Sequence, residues 1–165
     1  MSKTKYIIIF INLLLLLGYF NWSIVAKEKT LSAGKRVLLE LKPVDPRSIM
    51  QGDYMSLAYK IDDLPPHANI TKRGYCIVKV DAHGVGQKLR LQNELKPLAP
   101  GEMAIKYFFS GNSYFANIHL GAEAYFFQEG QGKRFEAARY GALKVDDAGN
   151  SVLEGLYNEQ YRLIK

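Results

Sequence analysis

The chain has 165 residues, 48% of them apolar and 23% charged. This excludes a disordered or low-complexity protein and, with an N-terminal apolar stretch set aside, leaves length for about one domain. The formal charge is +6, and from residue 27 onward, past Lys3 and Lys5, 20 basic side chains face 16 acidic ones. The basic residues are scattered rather than gathered in a stripe with interleaved aromatics, so nucleic acid is not an expected partner. A mildly basic solvated surface explains the excess, with attraction to anionic headgroups as the other reading.

Tyr6 to Ala26 (YIIIFINLLLLLGYFNWSIVA) is a run of 21 residues without a formal charge. As a helix rising about 1.5 Å per residue it crosses a hydrocarbon core of about 30 Å. Tyr19 and Trp22 stand near its far end, where amphipathic rings favour the interface, and Lys27, Glu28 and Lys29 mark the return to water. The expected layout is a cytoplasmic N-terminus (1–5), a retained signal-anchor (6–26), a juxtamembrane linker (27–35) and an extracytoplasmic domain (36–165). Flanking charges are balanced, since Lys27, Lys29, Lys35 and Arg36 follow the span, yet a domain this long can translocate regardless of charge. The rival is a cleaved signal peptide with Ile24-Val25-Ala26 as its site. The apolar stretch exceeds the usual signal core of about 7–15 residues, which favours the anchor.

Beyond the anchor the chain reads as short strands broken by turns: Arg36–Leu41, Asp53–Tyr59, Tyr75–Val80, Lys88–Leu91, Glu102–Phe109 and Tyr114–Leu120. The fold class is mainly β, a sandwich or meander with one short helix, preceded by a single transmembrane helix. Alternation in Asp53–Tyr59 puts Met55, Leu57 and Tyr59 on one face, a candidate for the core, and Tyr54 on the other. Asp81–Gly86 and Asp146–Asn150 have hairpin-turn chemistry. The second joins Gly141–Val145 to Ser151–Leu156. Lys133–Tyr140 (KRFEAARY) follows Glu129–Gly132 and predicts about two helical turns. Leu64–Asn69 and Leu95–Gly101 are loops, because their prolines sustain neither ladder nor helix.

The densest motif runs from Pro43 to Tyr59. Pro46 fixes its own φ and pushes Asp45 into an extended conformation, ending the first strand. Gly52 supplies a position free of Cβ restriction, and Asp53 can accept backbone N–H groups or a bidentate contact from Arg47.

Gly52-Asp53-Tyr54 followed by Leu57 and Tyr59 resembles the pattern that names the GDYXXLXY family of bacterial membrane-anchored proteins. The upstream PVDPRS run, the apolar anchor and the later Ala124–Gly132 segment followed by Glu136 are similar to that family as well. Gln128 stands where a proline is expected, which makes the turn before Glu129 less rigid. The resemblance implies an anchored β-rich domain without an established activity, often associated with multi-spanning membrane proteins.

Two readings of the motif follow. In one, Asp45, Arg47 and Asp53 build a charge-paired turn that sets strand register. In the other, Asp45, Arg47, Asp53, Tyr54 and Glu129 line a surface that grips a partner. The expected function is accordingly a binding or scaffolding module for another envelope or membrane protein, at the bacterial inner membrane. The alternative is an anchored hydrolase distantly like a type I signal peptidase, with Ser48 as nucleophile and Lys72 as base. Lys72 sits in a charged loop rather than an apolar strand, and a base lysine needs burial. His67, His83 and His119 lie far apart without paired-ligand spacing, so no metal is expected. Phosphate-binding glycine loops and a GxSxG elbow are absent, so no cofactor is expected. The lone Cys76 lies in a strand-like run and reads as a buried small hydrophobe.

Overall fold

In the computed structural model, residues 3–42, 54–64, 70–112, 115–128 and 130–164 are described. A long apolar helix leads into antiparallel sheets with one short helix, as expected. Helix α1 (Lys3–Ala33) is 31 residues long, which gives it a length of about 46 Å. Its apolar part is exposed along its whole length, and α1 is long and apolar enough to cross a membrane as an anchor or as a signal segment.

The helix does not stop at Ala26. Residues 27–33, read from sequence as linker, form its last turns, and the helix ends where Gly34 N–H donates to Thr30 O at 2.9 Å. A Cβ on Gly34 would stand 2.4 Å from that carbonyl oxygen and 3.0 Å from Val145 N. Helix and sheet therefore meet at a distance that only glycine allows. Thr30, the one buried residue of α1, donates its hydroxyl to Ala26 O and to Asp146 Oδ2, both at 3.2 Å.

Strand β1 (Lys35–Glu40) pairs antiparallel with β8 (Tyr140–Val145), which forms a hairpin with β9 (Ser151–Tyr157). The four-stranded sheet has the order β4 (Gly86–Gln92), β3 (Arg73–Val80), β5 (Glu102–Asn112), β6 (Phe115–His119). The two sheets touch at a corner, where Leu38 N–H donates to Gly84 O at 2.8 Å. Between them lies the core, with Val37, Leu39, Ile105, Ile118, Leu143 and Leu156 all at 0% exposure. Leu38, between two of these, faces the other side and joins Ala142 and Tyr157 in a smaller cluster under Val85 and Tyr140. That second covered face explains why β1 carries three consecutive apolar residues instead of alternating.

Both predicted hairpin turns are present. Asp81 Oδ1 accepts from His83 N and Val85 N at 2.8 Å each. Asp146 Oδ1 accepts from Ala148 N at 3.0 Å and Asn150 N at 2.8 Å, while its Oδ2 accepts from Asn150 Nδ2 at 2.8 Å. The predicted helix over Lys133–Tyr140 is shorter: α2 covers only Gly132–Phe135. Arg139 N donates to Tyr157 O and Arg139 O accepts from Leu41 N, both at 2.8 Å. Strand partners thus take the backbone groups that a longer helix would use.

Candidate functional site

Strand β2 (Tyr54–Ser56) pairs antiparallel with β7 (Ala124–Phe126) in a two-stranded ribbon, with Tyr54 opposite Phe126, Met55 opposite Tyr125 and Ser56 opposite Ala124. The two segments that carry the motif resemblance, about 70 residues apart in the chain, are therefore neighbours. Sequence reasoning identified Asp53–Tyr59 as a strand but left β7 unassigned, because three paired residues give no period to read.

The ribbon is rooted in the core by the second half of the motif. Met55 is half-buried, Leu57 and Tyr59 are buried, and the face expected for these three residues is the one that packs inward. Leu57 N–H donates to Glu123 O at 2.7 Å, and the Tyr59 hydroxyl donates to Ala122 O at 2.6 Å. Glu123 closes the preceding turn, its Oε1 accepting from Leu120 N at 2.5 Å and Gly121 N at 3.1 Å. Beyond β7, alternation separates the rings. Tyr125 and Phe127 each pack on buried Phe135 with centroids 5.1 Å apart, while Phe126 between them is 76% exposed.

Asp45, Arg47, Asp53 and Glu129 lie outside the described residues, as do Ser48 and His67. Tyr54 is placed by its backbone, at the start of β2. Lys72 is exposed on the segment before β3, where its carbonyl accepts from Phe109 N at 2.9 Å. His83 stacks on Tyr161 and His119 on Phe108, with centroids 5.0 and 4.9 Å apart. Among the described residues no group of His, Cys, Asp or Glu is placed to hold a metal ion. Cys76 is fully buried, and burial pushes its thiol up to about 12, so it is a packing residue.

Sequence reasoning missed Asp62. It closes the 3-10 turn Lys60–Asp62 that follows the motif, its Oδ2 accepting from Tyr59 N at 2.9 Å. Its Oδ1 has no hydrogen-bond partner although the residue is only 6% exposed. Burial raises the carboxyl to about 6; the Tyr59 N–H opposes that shift, Glu123 adds to it, and Lys42 and His119 oppose it. Lys42 itself pairs with Asp63 at 2.7 Å. The only signal available in sequence was an acidic residue three positions after Tyr59, the spacing at which a side chain reaches back to a backbone N–H. The tyrosine that ends the motif thus has both its hydroxyl and its backbone N–H tied down.

A search of curated proteins and of solved structures found no match to the chain. The GDYXXLXY protein family model matches residues 16–156, from inside the apolar helix to the last strand. With that span, and with both motif segments joined in one ribbon, the chain belongs to the GDYXXLXY family.

Proposed function

We propose that the protein is a single-span membrane protein whose residues 36–165 form an extracytoplasmic domain that binds or scaffolds another protein of the bacterial envelope. Asp45, Arg47, Asp53, Tyr54 and Glu129 are the residues that grip it, of which Tyr54 begins strand β2. The observation that carries this reading is the pairing of β2 with β7. It brings position 54 opposite Phe126 and three residues from position 129, on a ribbon whose inner face is fixed to the core and whose outer face presents a large apolar ring. Binding residues gather on short segments held by a rigid scaffold, and aromatic side chains are common anchors of protein interfaces.

The test is site-specific photo-crosslinking in membranes. A crosslinker at position 126 should capture a discrete membrane protein that co-purifies in mild detergent, whereas one at exposed Leu89 on β4 should capture none. Equal labelling from both positions would reject the ribbon as the binding surface.

A further inference from the structure

Where α1 meets the β8–β9 turn, the two enclose a cavity of about 430 Å³ lined by Ala26, Lys29, Thr30, Lys35, Asp146 and Asp147 among others. That volume lies within the about 300–1,000 Å³ of small-ligand sites. Ala26, Lys29, Thr30 and Ala33 recur at three- and four-residue spacing, so one face of the helix looks across the cavity toward the turn.

Two observations say what the cavity takes. The first is depth. Ala26 is the last residue of the uncharged run, so with α1 in a bilayer the cavity opens at the level of the lipid headgroups. The second is charge. The lining carries two ammonium groups, Lys29 and Lys35, and two carboxylates, Asp146 and Asp147. Asp146 is spent on the fold, accepting from Ala148 N, Asn150 N, Asn150 Nδ2 and the Thr30 hydroxyl. Lys29, Lys35 and Asp147 make no side-chain hydrogen bond or ion pair with any described residue. What remains in the lining is two cations and one anion, the charge complement of a group that carries a phosphate and an ammonium a few bonds apart.

We infer that this cavity binds the headgroup of a zwitterionic phospholipid of the phosphoethanolamine type, with the phosphate on Lys29 and Lys35 and the ammonium on Asp147. The inference rests on the membrane placement of α1 proposed above. A primary ammonium donates charge-assisted hydrogen bonds to the Asp147 carboxylate, which a quaternary choline cannot do, while an anionic glycerol headgroup offers Asp147 only neutral hydroxyl donors and no positive charge. The Thr30–Asp146 contact and the close approach at Gly34 hold the cavity walls in place, so the site is formed before the lipid arrives.

The full-length protein in mild detergent, titrated with phosphatidylethanolamine, phosphatidylcholine or phosphatidylglycerol of matched acyl chains and read by native mass spectrometry, tests this. Phosphatidylethanolamine should be retained about tenfold better than the other two, the factor that one charge-assisted hydrogen bond supplies. Asp147→Asn should shift the preference to phosphatidylglycerol. The double variant Lys29→Gln, Lys35→Gln should weaken retention of all three, and Lys27→Gln, which changes a lysine outside the lining, should leave the pattern unchanged. Far-UV circular dichroism confirms that each variant is folded, as expected for substitutions of exposed side chains. Equal retention of phosphatidylethanolamine and phosphatidylglycerol by the wild type, or a preference that survives Asp147→Asn, overturns the site. Flotation with pure phosphatidylcholine vesicles separates the two readings. Failure to float removes the anchor itself, whereas flotation without headgroup selectivity removes the cavity alone.

Discussion

Tyr59 lies against the bare Cα of Gly141: a Cβ added there would stand 2.8 Å from Tyr59 Cε1 and 3.0 Å from its hydroxyl oxygen. The last residue of the motif is thus accommodated by a glycine in β8, more than 80 positions away. Gly141→Ala should destabilise the domain by about 1–3 kcal/mol through overpacking. Tyr59→Phe keeps the ring but leaves Ala122 O without its donor, at a cost of about 1–3 kcal/mol for an unmatched buried group. In the double variant the penalties should not add, because the two residues are in contact. Urea unfolding of the four proteins in detergent measures all of this.

Asp62 should make stability depend on pH in a particular direction. Its carboxyl titrates at about 6 in the folded protein against an ordinary 3.8, so the folded state binds the proton more tightly than the unfolded chain. The sign follows from linkage: this group favours folding at low pH, and that contribution is lost as pH rises from about 4 through 6, by up to about 3 kcal/mol. Asp62→Asn cannot ionise and keeps an oxygen for Tyr59 N–H. The stability of Asp62→Asn relative to wild type should therefore rise between pH 4 and pH 7, and a difference that stays flat would show that the carboxyl does not titrate in this range.

The junction between α1 and the sheet should behave as a rigid corner rather than a tether. Gly34→Val forces a side chain into the Thr30 carbonyl and Val145, and Asp146→Ala removes the acceptor that holds both the β8–β9 turn and the Thr30 hydroxyl. Burial alone would raise the Asp146 carboxyl, but its bonds to Asn150, Ala148 and Thr30 hold it below the usual range, a measure of how fully that charge is used. Limited proteolysis should leave residues 27–35 intact in the wild type and cut there in both variants.

Cys76 should resist thiol reagents in the folded protein and react only on unfolding, since it is fully buried and its thiol is pushed up to about 12. Alkylation followed by intact mass measurement, with and without denaturant, gives the answer directly.

Lys72→Ala should change stability by no more than about 0.5 kcal/mol, as for most exposed positions without a packing role. Loss of a cellular phenotype in that variant at normal abundance would revive the Ser48 and Lys72 hydrolase reading.

The sequence by itself determined the features whose cause is local. Twenty-one uncharged residues in a row make a helix long and apolar enough to cross a membrane, aspartates followed by glycine or asparagine make the two hairpin turns, and alternation in Met55, Leu57 and Tyr59 chose their inward face. Tertiary structure decided whatever depends on a residue far away. β7 is a strand because β2 lies beside it, and KRFEAARY stops being helical after one turn because Leu41 and Tyr157 claim the backbone of Arg139. Residues 27–33 stay helical, and Gly34 lets the helix close on Val145. Asp62 carries no mark in the sequence of the burial that moves its carboxyl to about 6, because burial is a property of everything packed around it and not of the residue.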